Sequence, residues 1–436
     1  MRRRTALSTA GTLLTGSLAG CIDAADRAAT PASSDDPPTN AWTQVGGDAQ
    51  HTQYVDARGP RDGAEIAWEA LGRPVYPPVV DDALYLTEGW TDGAALSLAA
   101  DEGDERWAND DLPPSRWAPA LGDDRQFVLS RTEENVVRLH ALDTELGEEV
   151  WVREEGITAA SSSRPPSGPT IEAGTLYLPS NRGILAVHPA SGEPEWEATL
   201  GPHVMDTDGP MWRTDWAKPT VTAGRVITFD LNDGYQRGRE VYAVDAGSGE
   251  PDWATELDLP DGWHLKWRAV AGSDSVFVSA LRAMVALQGG DDEEEWTGAE
   301  RLFALDADSG TVVWEQELTG KTLRPVSYAE GTLYVGEWLP DRDIGRLHAL
   351  NASDGSVEWS YETNAGAVLS PTVAGDTVYA GEDEALVAVS REDGERRWRL
   401  EIGDRPGAPV VVDDTAYLQT DPGHNYASRI VAVRER

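Results

Sequence analysis

Apolar residues in this chain come in short alternating bursts separated by Gly, Asp and Pro. Residues 304–314 show the unit: ALDADSGTVVW is an apolar run, a polar break ending on Gly310, and a second apolar run closed by Trp314. Bursts this short predict strands. An Asp-to-Gly break between them predicts a tight hairpin turn, with Asp bonding its own backbone and Gly supplying positive φ. Glycine so frequent, among β-branched runs, argues against helix.

The frame recurs. Gly stands four residues before Trp at Gly103/Trp107, Gly147/Trp151, Gly192/Trp196, Gly249/Trp253, Gly310/Trp314, Gly355/Trp359 and Gly394/Trp398. The turn position eight before each Trp is Ala99, Asp143, His188, Asp245, Asp306, Asn351 and Ser390. A second element precedes each frame: an apolar pair, a turn, then an apolar-aromatic-apolar strand such as Leu84-Tyr85-Leu86 or Leu333-Tyr334-Val335. These elements begin at Pro78, Pro119, Pro169, Pro219, Arg268, Pro325, Pro371 and Pro409. Successive frame tryptophans lie 39 to 61 residues apart. Four short strands per unit of that length predict a β-propeller blade.

The chain ends clarify the count. Eight inner-strand starts are followed by seven complete frames, and the last unit stops at Arg436 after Ile430–Val433. An orphan outer strand, Ala64–Trp68, lies at the other end, just after Asp62-Gly63. The pattern therefore predicts an all-β, eight-bladed propeller over residues 42–436, its last blade closed by the N-terminal strand. Such closure leaves only short, protected edges. Trp68, Trp107, Trp151, Trp196, Trp253, Trp314, Trp359 and Trp398 are assigned to docking blade on blade.

Units of the form Ala-Leu-Asp-x-x-Ser-Gly-x-x-x-Trp resemble the tryptophan-docking repeats of the PQQ-like propeller superfamily. The opening Trp42–Tyr54, WTQVGGDAQHTQY, is similar to the segment that precedes such repeats. The superfamily holds eight-bladed quinoprotein alcohol dehydrogenases and the non-catalytic assembly lipoprotein BamB, so the resemblance implies a fold and leaves function open. Its dehydrogenase branch implies PQQ with Ca²⁺, a catalytic Asp and a vicinal disulfide. The disulfide is out of reach for a chain whose one cysteine is Cys21, and no carboxylate set can be matched to the calcium position from sequence. No CxxCH haem segment occurs either.

Composition narrows the partners. The chain has 36 Lys+Arg against 76 Asp+Glu, a formal charge of −40. That argues against nucleic acid, which needs clustered positive charge. The abundant tryptophan opposes disorder, and an acidic shell on a folded protein is what a halophilic, haloarchaeal chain would carry. At 1 M salt the Debye length is roughly 3 Å, so such a surface repels itself little.

The N-terminus reads as an export signal. Arg2-Arg3-Arg4 and Thr5-Ala6-Leu7 resemble a twin-arginine motif, Ala6–Ala19 is apolar, and Leu18-Ala19-Gly20-Cys21 matches a lipobox. The expectation is a signal peptide over 1–20, lipidation at Cys21, a Pro-rich tether to residue 41, and an extracytoplasmic propeller anchored to the cell membrane.

Candidate chemistry gathers in the stretches between blades. All three lysines, Lys218, Lys266 and Lys321, sit just before consecutive inner strands. Arg73, Arg116, Arg164, Arg213 and Arg405 are placed similarly, Trp117, Trp212, Trp216 and Trp267 accompany them, and Arg268 and Arg324 stand at or beside the strand starts that follow Lys266 and Lys321. Two readings stay open. These residues converge as a positive, aromatic funnel for an anion with a flat or apolar body, or each bonds local carbonyls and carboxylates. Weaker still are a metal reading of His203, Asp206, Asp208, Asp215 and His264, and a cation reading of the acidic run 291–295. No Ser–His–Asp frame or phosphate loop stands out. The sequence favours a binding or interaction module serving other extracytoplasmic proteins or a small anion. The alternative is a quinoprotein dehydrogenase oxidising an alcohol or sugar.

Overall fold

In the computed structural model, the residues described are 41–71, 79–81, 83–88, 94–115, 117–134, 136–157, 168–201, 216–231, 238–260, 263–282, 300–322, 326–339, 342–363, 366, 368–421 and 428–436. They form eight small antiparallel sheets, the blades of a propeller. The expected signal peptide, Cys21 and the tether lie outside them. Blade 1 spans Val79–Val80 to Glu105–Asn109, blade 2 Ala120–Gly122 to Glu149–Arg153, and blade 3 Thr170–Glu172 to Pro194–Thr199. Blade 4 spans Thr220–Thr222 to Pro251–Glu256, blade 5 Trp263–Ala271 to Val312–Leu318, blade 6 Lys321–Thr322 to Val357–Glu362, and blade 7 Val368–Ala374 to Arg396–Glu401. Blade 8 takes Val410–Val412, Thr415–Asp421 and Arg429–Glu435 from the C-terminus and Ala64–Leu71 from the N-terminus. In its register Ala64 faces Glu435 and Leu71 faces Arg429.

The tryptophan frame now has a mechanism. Each outer-strand indole Nε1 donates to one carbonyl in the turn of the next blade. Trp107 bonds Thr144 O at 2.9 Å, Trp253 bonds Ala307 O at 3.0 Å, and Trp314 bonds Ala352 O at 2.9 Å. Trp151, Trp196 and Trp359 do the same on Pro189, Ala246 and Arg391. Trp398 of blade 7 bonds Pro60 O at 3.0 Å, just ahead of blade 8's outer strand, and Trp68 of blade 8 bonds Ala100 O of blade 1 at 3.2 Å. The donors therefore run once round the ring without a break. Behind most of them stands the aromatic of the second strand, as in Tyr334–Trp359, with centroids 6.0 Å apart. Blade 4 carries Ile227 there instead.

At the seam Tyr379 adds its hydroxyl to Pro60 O at 2.9 Å, beside the Trp398 bond. Tyr379 is fully buried. Tyr379→Phe should lower stability by about 1 kcal/mol, the net value of one such bond. Urea unfolding checks this, and an unchanged midpoint would show that the bond is not needed for closure.

Inner strands are joined by a second ring of bonds. Thr170 Oγ1 donates to Pro219 O at 2.6 Å, Thr220 to Ala269 O at 3.0 Å, and Thr372 to Pro409 O at 2.7 Å. Ser327 reaches Pro371 O in the same way. Blade 5 has Val270 at this position, and there Gln53 from the N-terminal segment supplies the donor, Nε2 to Val326 O at 3.4 Å.

Candidate functional site: the propeller axis

The N-terminal segment 42–59 runs around the inside of the ring. Amides of Leu121, Val221, Ala271, Tyr328 and Val373, one from each of five blades, donate to the carbonyls of Thr43, Ala49, Gln50, Thr52 and Gln53 at 2.7–3.0 Å. For blade 3 the Gln44 side chain acts as a surrogate peptide: Ile171 N donates to its Oε1 and its Nε2 donates to Ile171 O, both at 3.0 Å. Tyr54–Val55 then pairs in parallel with Val373–Ala374, and Gly59 N bonds Asp413 O of blade 8. The segment can follow this tight path because Gly46 and Gly47 have positive φ, as do His51 and Gln53. A Cβ on Gly46 would stand 2.7 Å from His51 Cα.

This strap carries two titratable groups into the interior. Asp48 accepts from Thr52 N at 2.9 Å and from the Thr52 hydroxyl. Burial pushes its carboxyl up to about 6, against the pull of those bonds and of Arg268. His51 is fully buried between blades 3, 4 and 5, with Nδ1 3.0 Å from Thr220 Oγ1. Burial first, then the positive charges of Lys218 and Arg268, hold its pKa well below the usual value. Thr220 gives its proton to Ala269 O, so it accepts from His51, which assigns the proton of the neutral ring to Nδ1.

Inner-strand register shows what faces the strap. Three residues before each strap-bonded position stand Ala118, Gly168, Lys218 and Arg268 in blades 2 to 5. Ser370 stands there in blade 7 and, aligned through the Val410–Tyr417 pair, Ala408 in blade 8. Lys218 and Arg268 thus hold the same ring position in neighbouring blades, and their backbones form a parallel bridge. Lys218 is 1% exposed, and its Nζ donates to Pro169 O at 2.9 Å. Burial, then Arg268, drives its pKa well down. Arg268 keeps some accessible surface yet is enclosed enough that burial lowers it to about 10, with Asp48 acting in the opposite direction. Its buried Nε has no hydrogen-bond partner among the described residues.

The other expected funnel residues are distributed differently. Trp117 is buried core, its ring covered by the Arg131 guanidinium at 5.4 Å. Trp216 is also buried and packs edge-on against Tyr242. Lys266 and Trp267 lie within the long inner strand Trp263–Ala271, not in a loop before it, because the second strand extends to Arg282 and pairs as far as Trp263. Lys321 is likewise in a strand and faces Trp338. Arg116, Arg164, Trp212, Arg213 and Arg324 lie outside the described residues, as do His203, Asp206, Asp208, Asp215 and 291–295.

Asp48 and His51 were not singled out by sequence. Both sit in the quoted opening segment, and the run Gly46-Gly47-Asp48 was the one local signal of an unusual turn there. Sequence also missed a relay in blade 2: Ser130 Oγ lies 2.7 Å from His140 Nε2, and His140 Nδ1 lies 2.6 Å from Glu149 Oε2. The three come from three strands, so no motif links them. Ser130 has no exposed surface, so its hydroxyl meets no substrate and the relay serves to satisfy buried polar groups.

A family model described as outer membrane protein assembly factor BamB, of the PQQ-like repeat type, matches residues 51–204 and 298–436. The chain belongs to this PQQ-like propeller family. Solved structures agree on the fold. Quinohemoprotein alcohol dehydrogenase from Comamonas testosteroni is similar over 91% of this chain and 81% of its own, with TM-score 0.61 and 16% identity. BamB from Moraxella catarrhalis matches over 86% and 99%, with TM-score 0.57 and 14% identity. A europium-containing methanol dehydrogenase matches over 92% and 99%, with TM-score 0.65 and 12% identity. No curated protein matches the chain by sequence.

Family membership raises the question of whether the axis fits a quinone with calcium. Calcium takes roughly six to eight oxygen ligands, several of them carboxylate. The strap offers one buried carboxylate, Asp48, both of whose oxygens already accept from Thr52; its other, Asp56, is exposed to solvent. Among the described residues no group of three His, Cys, Asp or Glu is placed to hold a metal. The described axial residues do not fit a calcium–quinone centre.

Proposed function

We propose that this PQQ-like propeller is a lipid-anchored, extracytoplasmic binding module that takes a small carboxylate-bearing anion on its axis. The observation that carries the reading is the Lys218–Arg268 pair, two basic residues on adjacent blades at a ring position held by Ala118, Gly168 and Ala408 in blades 2, 3 and 8, with the Arg268 Nε unused among the described residues. In an enclosed, low-dielectric site such donors bind anions far more strongly than at a surface. The lipobox ending at Cys21 supports the anchor, and the anchored propeller would serve partners outside the cytoplasm.

Titration with citrate, followed by thermal shift at constant chloride, tests this. The parent chain should be stabilised, and Arg268→Gln should weaken citrate about tenfold or more. The same cations would also receive the carboxylates of a quinone. Reduction of an artificial electron acceptor by alcohol or sugar, after addition of PQQ and Ca²⁺, would replace the binding reading with the dehydrogenase one. Equal citrate affinity in Arg268→Gln would remove the axial site.

A further inference from the structure

The eight blades serve as controls for one another, and blade 2 departs from the rest on its outer edge. The residue before the frame glycine is polar or charged in every other frame, for example Ser191, Ser248 and Ser309, but in blade 2 it is Leu146. Leu146 is 64% exposed. Every other outer strand has a charged side chain on at least one flank of its tryptophan, as blade 3 has Glu195 and Glu197. Blade 2 has Val150 and Val152, each 46% exposed. Glu149–Arg153 pairs with Val137–Asp143 on one side and ends its sheet on the other, so its free edge presents backbone donors and acceptors. Exposed apolar edges of this kind are ready to pair with another strand. Beside it, between blades 1 and 2, lies a groove of about 460 Å³ lined by Leu112, Pro113, His140, Glu149 and Val152.

The edge also complements itself. Glu149-Val150-Trp151-Val152-Arg153 is symmetric about Trp151 except that an anion at one end is matched by a cation at the other. Laid antiparallel on a copy of itself with Trp151 at the two-fold, Val150, the extra residue of a bulge in this strand, comes beside Val152, and Glu149 lies towards Arg153. Leu146 lies in the hairpin turn just ahead of this strand and adds exposed apolar surface at its end. Arg153 is available for this role. Its Nη1 donates to Gly192 O at 3.1 Å, but it has no carboxylate partner among the described residues, and its Nε is unpartnered. Glu149 is 41% exposed beside its His140 bond. Glu148 would fall opposite Glu154, a like-charge contact that weakens the pairing at low salt.

We infer that the occupant of this edge is a second copy of the chain, joined blade 2 to blade 2 as a two-fold dimer with a continuous sheet across the interface. A closed two-fold contact satisfies both edges at once and does not propagate. A single pair of short strands buries less than the ~1,000 Å² of a stable interface, so the dimer is weak and concentration-dependent. Salt strengthens it, because screening removes the repulsion of two acidic chains while apolar contact remains. The inference does not depend on what binds the axis.

Sedimentation of the full chain carrying Cys21→Ser tests it. The average mass should rise towards twofold with protein concentration, and rise further as KCl increases. Val150→Glu/Val152→Glu, which copies blade 3's own residues and so suits the fold, should stay monomeric over the same range. Arg153→Glu, which removes the complementary cation, should reduce dimer as well. A spin label at Glu148→Cys in the Cys21→Ser chain, which also removes the like-charge contact with Glu154, should report copies roughly 20 Å apart, six strand positions at about 3.3 Å each. A chain monomeric at every concentration and salt, or dimers indifferent to both variants, would overturn the inference. So would a label distance far from that value, which would place the contact elsewhere.

Discussion

Gly310→Ala should unfold far more readily than the parent, losing about 2–4 kcal/mol. Gly310 has φ +68°, and a Cβ there would stand 2.4 Å from Cε3 of Trp253, the docking residue of the preceding blade. Two costs add: a left-handed backbone that L-residues resist, and an overlap with a ring that cannot retreat. The ring cannot retreat because its Nε1 is tied to Ala307 O at 3.0 Å in the same turn. Trp253→Ala should cost a similar amount, about 3 kcal/mol, from lost contact and an unmet carbonyl. The two together should cost less than their sum by on the order of 1–2 kcal/mol, since the overlap vanishes when the ring is gone. Urea midpoints in concentrated KCl measure all three. Strict additivity would mean that ring and glycine do not act as one joint. All seven frame glycines stand within 3.0 Å of a preceding indole by the same measure, so the result speaks for most of the ring.

Asp48→Asn should flatten the pH dependence of stability and leave the protein more stable than its parent near pH 8. The sign follows from the direction of the shift. Burial raises Asp48 from 3.8 to about 6, so its contribution to stability is fully present below the unfolded value and is lost as pH rises through about 6. Two pKa units or slightly more correspond to about 3 kcal/mol of favourable energy lost by the time the carboxyl is ionised. Asn keeps an acceptor for Thr52 and cannot ionise. His51 works in the other direction: its pKa is lowered, so its contribution is present above pH 6.5 and is lost as pH falls. Parent and variant share His51, so their difference between pH 5 and 8 isolates Asp48. A parent-minus-variant difference that does not change over that window would mean the carboxyl is not held protonated by burial.

The axis was the least legible part of the molecule. Counting forward from each tryptophan put Lys218, Lys266 and Lys321 in one class, each just before an inner strand, and Arg268 at the start of one. Register separated them. Lys218 and Arg268 share the ring position beside the strap, whereas Lys266 pairs with Ser279 and Lys321 with Trp338 in strands that run longer than the turn signals suggest. The separations between frames vary by more than twenty residues, so sequence spacing from the outer strand cannot align inner positions.

What the sequence determined by itself was everything that repeats locally. Each blade is one short supersecondary unit, and its turn Asp, its glycine and its tryptophan lie within nine residues, so hairpin chemistry and docking could be read from one frame and confirmed by its copies. What only the tertiary structure decided was everything held by partners distant in the chain. The strap 42–59 has no period to read, because five of its carbonyls each accept from the amide of a different blade, a contact that any residue would supply. The Lys218–Arg268 pair, the buried Asp48 and His51, and the free edge of blade 2 acquire their chemistry from enclosure and adjacency, and those arise only when the ring closes.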